Sequence, residues 1–168
     1  MNARLIALMQ RAVVLLKELL SRKKKAMHYP VDPIYPITQG FGVRSPHYKS
    51  GIHNGVDYGC PIGTPVRAPG DGQITAVFRD NPTMGNAVYY QCADENGKAW
   101  YFRFLHLSRV MPVGDYIQGD IIGYTGNSGD STGPHLHCEA WKIPVSVAIL
   151  SSEAAVRANL VDPLTLFA

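Results

Sequence analysis

Ala87-Val88-Tyr89-Tyr90-Gln91-Cys92-Ala93, Asp94-Glu95-Asn96-Gly97 and Ala99-Trp100-Tyr101-Phe102-Arg103-Phe104-Leu105 decide the fold class between them. The outer two runs are rich in aromatic residues, which suit a pleated and half-buried strand. The middle run ends in Asn-Gly, a dipeptide that takes up positive φ at little cost and favours a tight hairpin turn. The stretch therefore reads as two antiparallel strands joined by a short turn. Outward from it, Thr64–Ala68, Gly72–Phe78 and Ile121–Tyr124 read as further strands. Asp71-Gly72 and Gly114-Asp115 read as turns between them. The chain carries 16 glycines and 12 prolines in 168 residues, as a turn-rich β body requires. The expected class is mainly β, an antiparallel sheet or sandwich. Ser151 and Ser152 before Glu153–Leu160 predict one short helix, stopped ahead of Pro163.

The first twenty residues follow another rule. Leu5, Leu8, Met9, Ala12, Leu15, Leu16, Leu19 and Leu20 recur at helical spacing, with Arg4, Gln10, Arg11, Lys17 and Glu18 on the opposite face. This predicts an N-terminal amphipathic helix, open to self-association or to packing on the domain, and also to contact with a membrane surface. Its apolar runs are too short for a membrane span. It lacks the clean apolar core and cleavage site of a signal peptide, so no export signal is visible. Arg22, Lys23, Lys24 and Lys25 then form a basic linker, followed by Pro30, Pro33 and Pro36, which favour extended chain. The expected organisation is helix and basic linker over residues 1–27 and one globular domain over residues 28–168.

Hydrophobic residues make up 46% and charged residues 17% of the chain, which excludes a disordered protein. The net charge of +3 is too small to argue for a nucleic-acid partner, and the four basic linker residues exceed it on their own. Cys60, Cys92 and Cys138 contain no CxxC pair, so a thiolate metal site of ordinary spacing is not expected. Their odd number leaves room for one disulfide at most.

Chemistry concentrates in three short motifs. In Gly51-Ile52-His53-Asn54-Gly55-Val56-Asp57, His53 and Asp57 lie an even number of residues apart and share a face if the segment is extended. In Gly133-Pro134-His135-Leu136-His137-Cys138-Glu139, His135 and His137 share a strand face, while Leu136, Cys138 and Ala140 point to the other side as core residues do. Phe104-Leu105-His106-Leu107-Ser108 adds one histidine at the end of an apolar run. Two histidines and one carboxylate make three protein ligands, which leave a tetrahedral zinc with one open position. A zinc ion in such a site lowers the pKa of its bound water towards neutrality. A further histidine is then needed to accept and return a proton. His106 is one spare, and whichever of His135 and His137 is not a ligand is the other. His28 and His47 sit in loop-like sequence and read as surface residues.

These motifs occur in one order together with Gly63-Thr64-Pro65-Val66 and Ser131-Thr132, flanked by Gly40-Phe41-Gly42-Val43-Arg44 and Asp162-Pro163-Leu164. In that order the chain resembles the lysostaphin-type zinc metallopeptidases over residues 36–165. The resemblance implies an antiparallel β fold with a groove over the sheet, and one Zn2+ per chain. It implies His53, Asp57 and His137 as metal ligands and His135 and His106 as catalytic residues. It implies hydrolysis of peptide bonds in peptidoglycan stems or cross-bridges, and hence action outside the cytoplasm. The competing reading is a non-catalytic module of the same fold that binds peptidoglycan or activates a hydrolase. Three departures stand out. Phe104 lacks the hydroxyl of the aromatic usual near that position, Cys138 replaces a bulky aromatic, and Trp141–Val161 is long enough to reshape one groove wall.

Overall fold

The computed structural model describes Leu8, Met9, Arg11 and residues 26–168. The helix expected over residues 1–20 therefore lies almost wholly outside the described residues, as does the basic run 22–25; Leu8, Met9 and Arg11 are helical and exposed. No helix among the described residues is long and apolar enough to cross a membrane.

In chain order the strands are β1 (Ile37–Gln39), β2 (Val56–Tyr58), β3 (Pro65–Arg67), β4 (Gly72–Asn81), β5 (Gly85–Ala93) and β6 (Ala99–Leu107). They continue as β7 (Arg109–Val110), β8 (Gly114–Tyr116), β9 (Ile121–Tyr124), β10 (Leu136–Trp141) and β11 (Leu160–Val161). The larger sheet runs β1-β2-β10-β6-β5-β4-β8, with β11 also paired to β10, and the smaller runs β3-β9-β7. All the pairings are antiparallel.

The β5–β6 hairpin forms as expected. Asp94 closes its turn: Oδ1 accepts from the amides of Asn96 and Lys98, and Oδ2 accepts from Trp100 Nε1. Gly114-Asp115 does not behave as a plain turn. Residues 114–116 pair with Gly72–Ile74 as β8, because the outer edge of β4 otherwise leaves backbone donors and acceptors without partners.

Alternation puts Leu136, Cys138 and Ala140 of β10 on one face with Phe102 and Phe104 of β6 and Val88 and Tyr90 of β5. Val66 and Ile122 from the smaller sheet close over them, and all nine are buried in one core. The three cysteines are buried free thiols, so no bridge forms. Phe104 stacks on Phe102 with centroids 5.9 Å apart inside this core. A hydroxyl there would face away from the motif histidines, so its absence costs the site no contact.

Met27, read from the sequence as the end of the linker, is 2% exposed and bridges to Phe167. The Ala168 amide donates to its carbonyl at 2.9 Å, and Gln118 Nε2 donates to the Ala26 carbonyl at 2.7 Å.

The long segment after β10 folds into two short helices, α1 (Val147–Leu150) and α2 (Glu153–Asn159). Ser152 caps α2 by accepting from the Ala155 amide, as the sequence predicts, whereas α1 was not expected. Val156 and Leu160 pack on Trp141, with Val145 and Ile149 at the edge of that cluster. This second layer explains why every residue of β10 is buried, on both faces of the strand.

Candidate metal centre

β2 and β10 carry the site. Their register sets Asp57 directly opposite His137, and alternation points both away from the core. His53 arrives from the loop just before β2; its amide donates to the Val43 carbonyl and its own carbonyl accepts from the Gly42 amide. Gly55 lets this loop approach β10: a Cβ there would lie 2.2 Å from the Cys138 carbonyl oxygen.

Three donor atoms converge. His137 Nδ1 is 2.7 Å from Asp57 Oδ1 and 3.0 Å from His53 Nε2, and His53 Nε2 is 3.2 Å from the same carboxylate oxygen. The far nitrogens fix the tautomers. His53 Nδ1 donates to the Gly40 carbonyl at 2.9 Å, and His137 Nε2 donates to Glu139 Oε1 at 3.1 Å. Neither acceptor has a hydrogen to give, so each imidazole, when neutral, turns a lone pair inward. With both rings neutral, two lone pairs and a carboxylate oxygen face one another, an arrangement that a cation, whether a metal ion or a proton, relieves. Tetrahedral ligands at zinc distances stand about 3.3 Å apart, slightly wider than the spacings found here. The donor set therefore fits a borderline-soft divalent ion such as zinc.

The proton equilibria agree. Burial alone would lower the pKa of His137, but hydrogen bonds to Asp57 and Glu139 outweigh it and raise the pKa to about 9. Asp57 is held well below the ordinary carboxylate range: burial opposes this, and the close contacts and charge of His137 and His53 override it. Where positive charge is wanted, a proton takes the place a metal would take.

His135 and His106 border the three donors. His135 Nδ1 donates to the Gly133 carbonyl at 2.8 Å, and its Nε2 is 3.8 Å from Asp57 Oδ1. His106 Nδ1 donates to the Ser128 carbonyl at 2.8 Å. Its ring centroid lies 4.8 Å from that of His135 and 6.0 Å from that of His137. Burial lowers the His106 pKa to about 4, so the ring is neutral at neutral pH with its Nε2 lone pair free to accept. The His106 backbone sits at φ 62°, a region costly for a residue with a Cβ. It is held there by its amide, which donates to the Met84 carbonyl, and by the Ser128 bond to its ring.

The five residues expected from the sequence are thus neighbours in space. His28 and His47 are exposed and take no part. The sequence reading passed over Glu139, Arg103 and Trp141. Glu139 Oε2 accepts from Arg103 Nη1 at 3.0 Å and from Trp141 Nε1 at 2.7 Å. Continuing the alternation of His135 and His137 by two more steps would have found Glu139 and Trp141. It also passed over Tyr48, whose ring centroid is 5.3 Å from that of His53.

Residues 51–153, more than half of the chain, match the sequence model of peptidase family M23. The chain belongs to peptidase family M23. Among M23-like relatives, the peptidoglycan DD-endopeptidase ShyA of Vibrio cholerae serotype O1 is 39% identical over 124 residues, covering 71% of this chain and 28% of that protein. The solved catalytic domain of the antimicrobial peptidase lysostaphin from Staphylococcus simulans superposes with a TM-score of 0.63 at 28% identity, covering 79% of this chain and 91% of that one. A zinc containing peptidase from Vibrio cholerae superposes with a TM-score of 0.59 at 35% identity, covering 70% of this chain and 37% of that one. The chain spans about a quarter of the length of the curated relatives it matches. M23 membership and the His53-Asp57-His137 cluster together point to a metal centre.

Proposed function

We propose that this chain carries the catalytic domain of a zinc endopeptidase that hydrolyses peptide bonds in peptidoglycan stems or cross-bridges, outside the cytoplasm. The observation that carries the reading is the convergence of His53 Nε2, Asp57 Oδ1 and His137 Nδ1, three atoms able to give an electron pair to one ion. These three residues would hold one zinc ion per chain. A zinc ion held there supplies Lewis acidity, which makes water a usable nucleophile near neutral pH.

The chain's own residues do the rest. Asp57 Oδ1 orients His137 and His53 through short contacts to both rings. His135 presents its Nε2 on the Asp57 side of the cluster, within reach of a water there, and serves as general base. His106, neutral and buried, accepts on Nε2 and holds the second proton position, with Ser128 keeping its Nδ1 hydrogen in place. Once either imidazole has taken a proton it can donate to the developing oxyanion and then to the leaving amine. A substrate peptide would lie over the same face of the larger sheet. There a cavity of about 170 Å³ is lined by Thr75, Tyr89, Gln91, Tyr101, Pro144 and Val145. Its wall is mostly apolar, with Thr75 and Gln91 offering polar contacts to a peptide, and Pro144 and Val145 come from the long segment after β10.

The name of ShyA as a peptidoglycan DD-endopeptidase supports this substrate class. The test is digestion of purified cell walls of known cross-bridge chemistry, with the released fragments weighed and bound zinc measured in the same sample. About one zinc per chain and new peptide termini are expected. Zinc without cleavage of any wall would favour the non-catalytic module. A folded protein that takes up no zinc would remove both the metal and the mechanism.

A further inference from the structure

We propose that Glu139 is a positioning residue of the metal centre: clamped by Arg103 and Trp141, it dictates which nitrogen of His137 faces the metal. The inference rests on the zinc-site reading above and deepens it.

Glu139 is a carboxylate 3% exposed, in the middle of a strand buried on both faces. An ionised side chain so placed needs every lone pair matched to a donor. The Arg103 guanidinium at 3.0 Å and the Trp141 indole at 2.7 Å supply donors that hold it ionised. Its three partners come from two strands. His137 and Trp141 flank it at two-residue spacing on β10, and Arg103 stands directly across on β6. Two of the three have no freedom. The guanidinium and the indole can only donate, and both donate to Oε2. Arg103 is itself tied down, since Nη2 contacts Met84 Sδ at 2.7 Å and the guanidinium lies 5.1 Å from the centre of the Tyr89 ring. The carboxylate cannot swing without breaking two bonds, so Oε1 stays 3.1 Å from His137 Nε2.

The consequence is a choice of tautomer. An ionised Oε1 only accepts, so His137 must keep a hydrogen on Nε2, and Nδ1 is the nitrogen that can turn bare towards a metal. Nδ1 is the atom 2.7 Å from Asp57 and 3.0 Å from His53. The opposite tautomer would put a hydrogen into the centre of the donor triangle and a lone pair against a carboxylate. A carboxylate behind a histidine ligand orients the ring and raises its basicity, and losing such a partner typically weakens metal binding ~10–100-fold. Ion pairing of Glu139 with Arg103 alone would stabilise the sheet but would not require the second oxygen to meet His137.

Glu139→Gln separates the two roles, because it keeps shape and volume. Arg103 and Trp141 still demand an acceptor at the Oε2 position, so the amide oxygen goes there. The amide NH2 is left facing His137 Nε2 and donates to it. The hydrogen of His137 must then move to Nδ1, the wrong side for a metal. The experiment uses the full chain with zinc as the probe: zinc affinity by chelator competition, and 15N–1H NMR of the imidazoles with and without zinc. The expected result is zinc binding weaker by ~10–100-fold in Glu139→Gln, with Nε2 of His137 bare of hydrogen when the metal is removed. In the zinc-loaded natural protein, Nε2 of His137 carries a hydrogen-bonded proton and Nδ1 binds the metal. A folded Glu139→Gln protein with unchanged zinc affinity and the hydrogen still on Nε2 overturns the proposal and leaves the zinc site standing. If the variant does not fold, the natural protein decides: zinc on Nε2 of His137, or an Nε2 hydrogen without a hydrogen-bond partner, overturns it. A natural protein that binds no zinc brings down this inference together with the zinc-site reading.

Discussion

Gly55→Ala tests how finely the metal donors are placed. An added Cβ would stand 2.2 Å from the Cys138 carbonyl oxygen and 2.8 Å from its carbon, and both are backbone atoms in the middle of β10. Side-chain carbons essentially never come within 3.0 Å of such atoms, so the loop and strand must part by at least about 0.8 Å. The separation acts where it does most harm. Val56 pairs with Cys138, and the next residue pair along the ladder is Asp57 opposite His137. Metal-ligand distances tolerate about 0.2 Å, so the displacement exceeds the tolerance several-fold. Overpacking of this kind costs about 1–3 kcal/mol. If zinc must pull the strands back together to bind, that cost appears as zinc affinity weaker by roughly 5- to 150-fold, at 1.4 kcal/mol per factor of ten. The assay is urea unfolding of the metal-free protein beside chelator competition for zinc. A variant with natural stability and natural zinc affinity would refute the argument, because β2 and β10 would then have slack that their contacts do not show.

Other perturbations read other parts of the molecule. His137→Ala is expected to lose zinc and peptidase activity together, while His135→Ala keeps its zinc and loses turnover by ~10²–10⁴-fold; metal content beside peptidase rate at one pH distinguishes them, and the reverse pattern inverts the roles. In the metal-free protein His137 has its pKa raised to about 9, so the stability it contributes is complete below its ordinary value of 6.5 and is lost as pH rises through 9. Urea midpoints are therefore expected to fall from pH 6.5 to 9.5 without zinc. Zinc must displace the same proton, so its affinity should climb by about tenfold per pH unit up to pH 9, and a flat profile would contradict this. A chain beginning at Ala26 is expected to keep the natural melting temperature of the β domain, whereas one beginning at His28 loses the buried Met27 and about 2 kcal/mol of stability, read by thermal unfolding.

Periodicity carries most of what is legible in the sequence. The β5–β6 hairpin announces itself because its turn chemistry and its flanking aromatics agree. The same two-residue period places His135 and His137 on one face and Cys138 on the other, as the packing of Cys138 in one core with Phe102 and Phe104 bears out. The period does not say which nitrogen of an imidazole points inward, since that depends on acceptors such as the Gly40 carbonyl, which lies 13 residues from His53. Glu139 and Arg103 were within reach of the alternation and were missed because charged residues ordinarily lie on the solvent side. The φ of 62° at His106 had no local signal, as no glycine or asparagine stands there. It follows from contacts with Met84 and Ser128, both about twenty residues away in sequence. β8 was hidden for a related reason: Gly114-Asp115 has turn composition, and only the open edge of β4 makes it a strand.

β10 has no solvent side. Leu136, Cys138 and Ala140 answer to the core, while His137, Glu139 and Trp141 answer to the donor cluster and to the helical layer above it. A strand in that position has almost no mutational freedom, since any change is felt either as lost packing or as a displaced ligand. Variation in what the domain accepts as substrate must then be written elsewhere. The nearest adjustable ground is the 45–52 loop and α2, which Arg157 ties together through two hydrogen bonds to the Ser50 carbonyl. Exchanging these two segments as a matched pair would alter the approach to the centre while leaving the strand that holds it untouched.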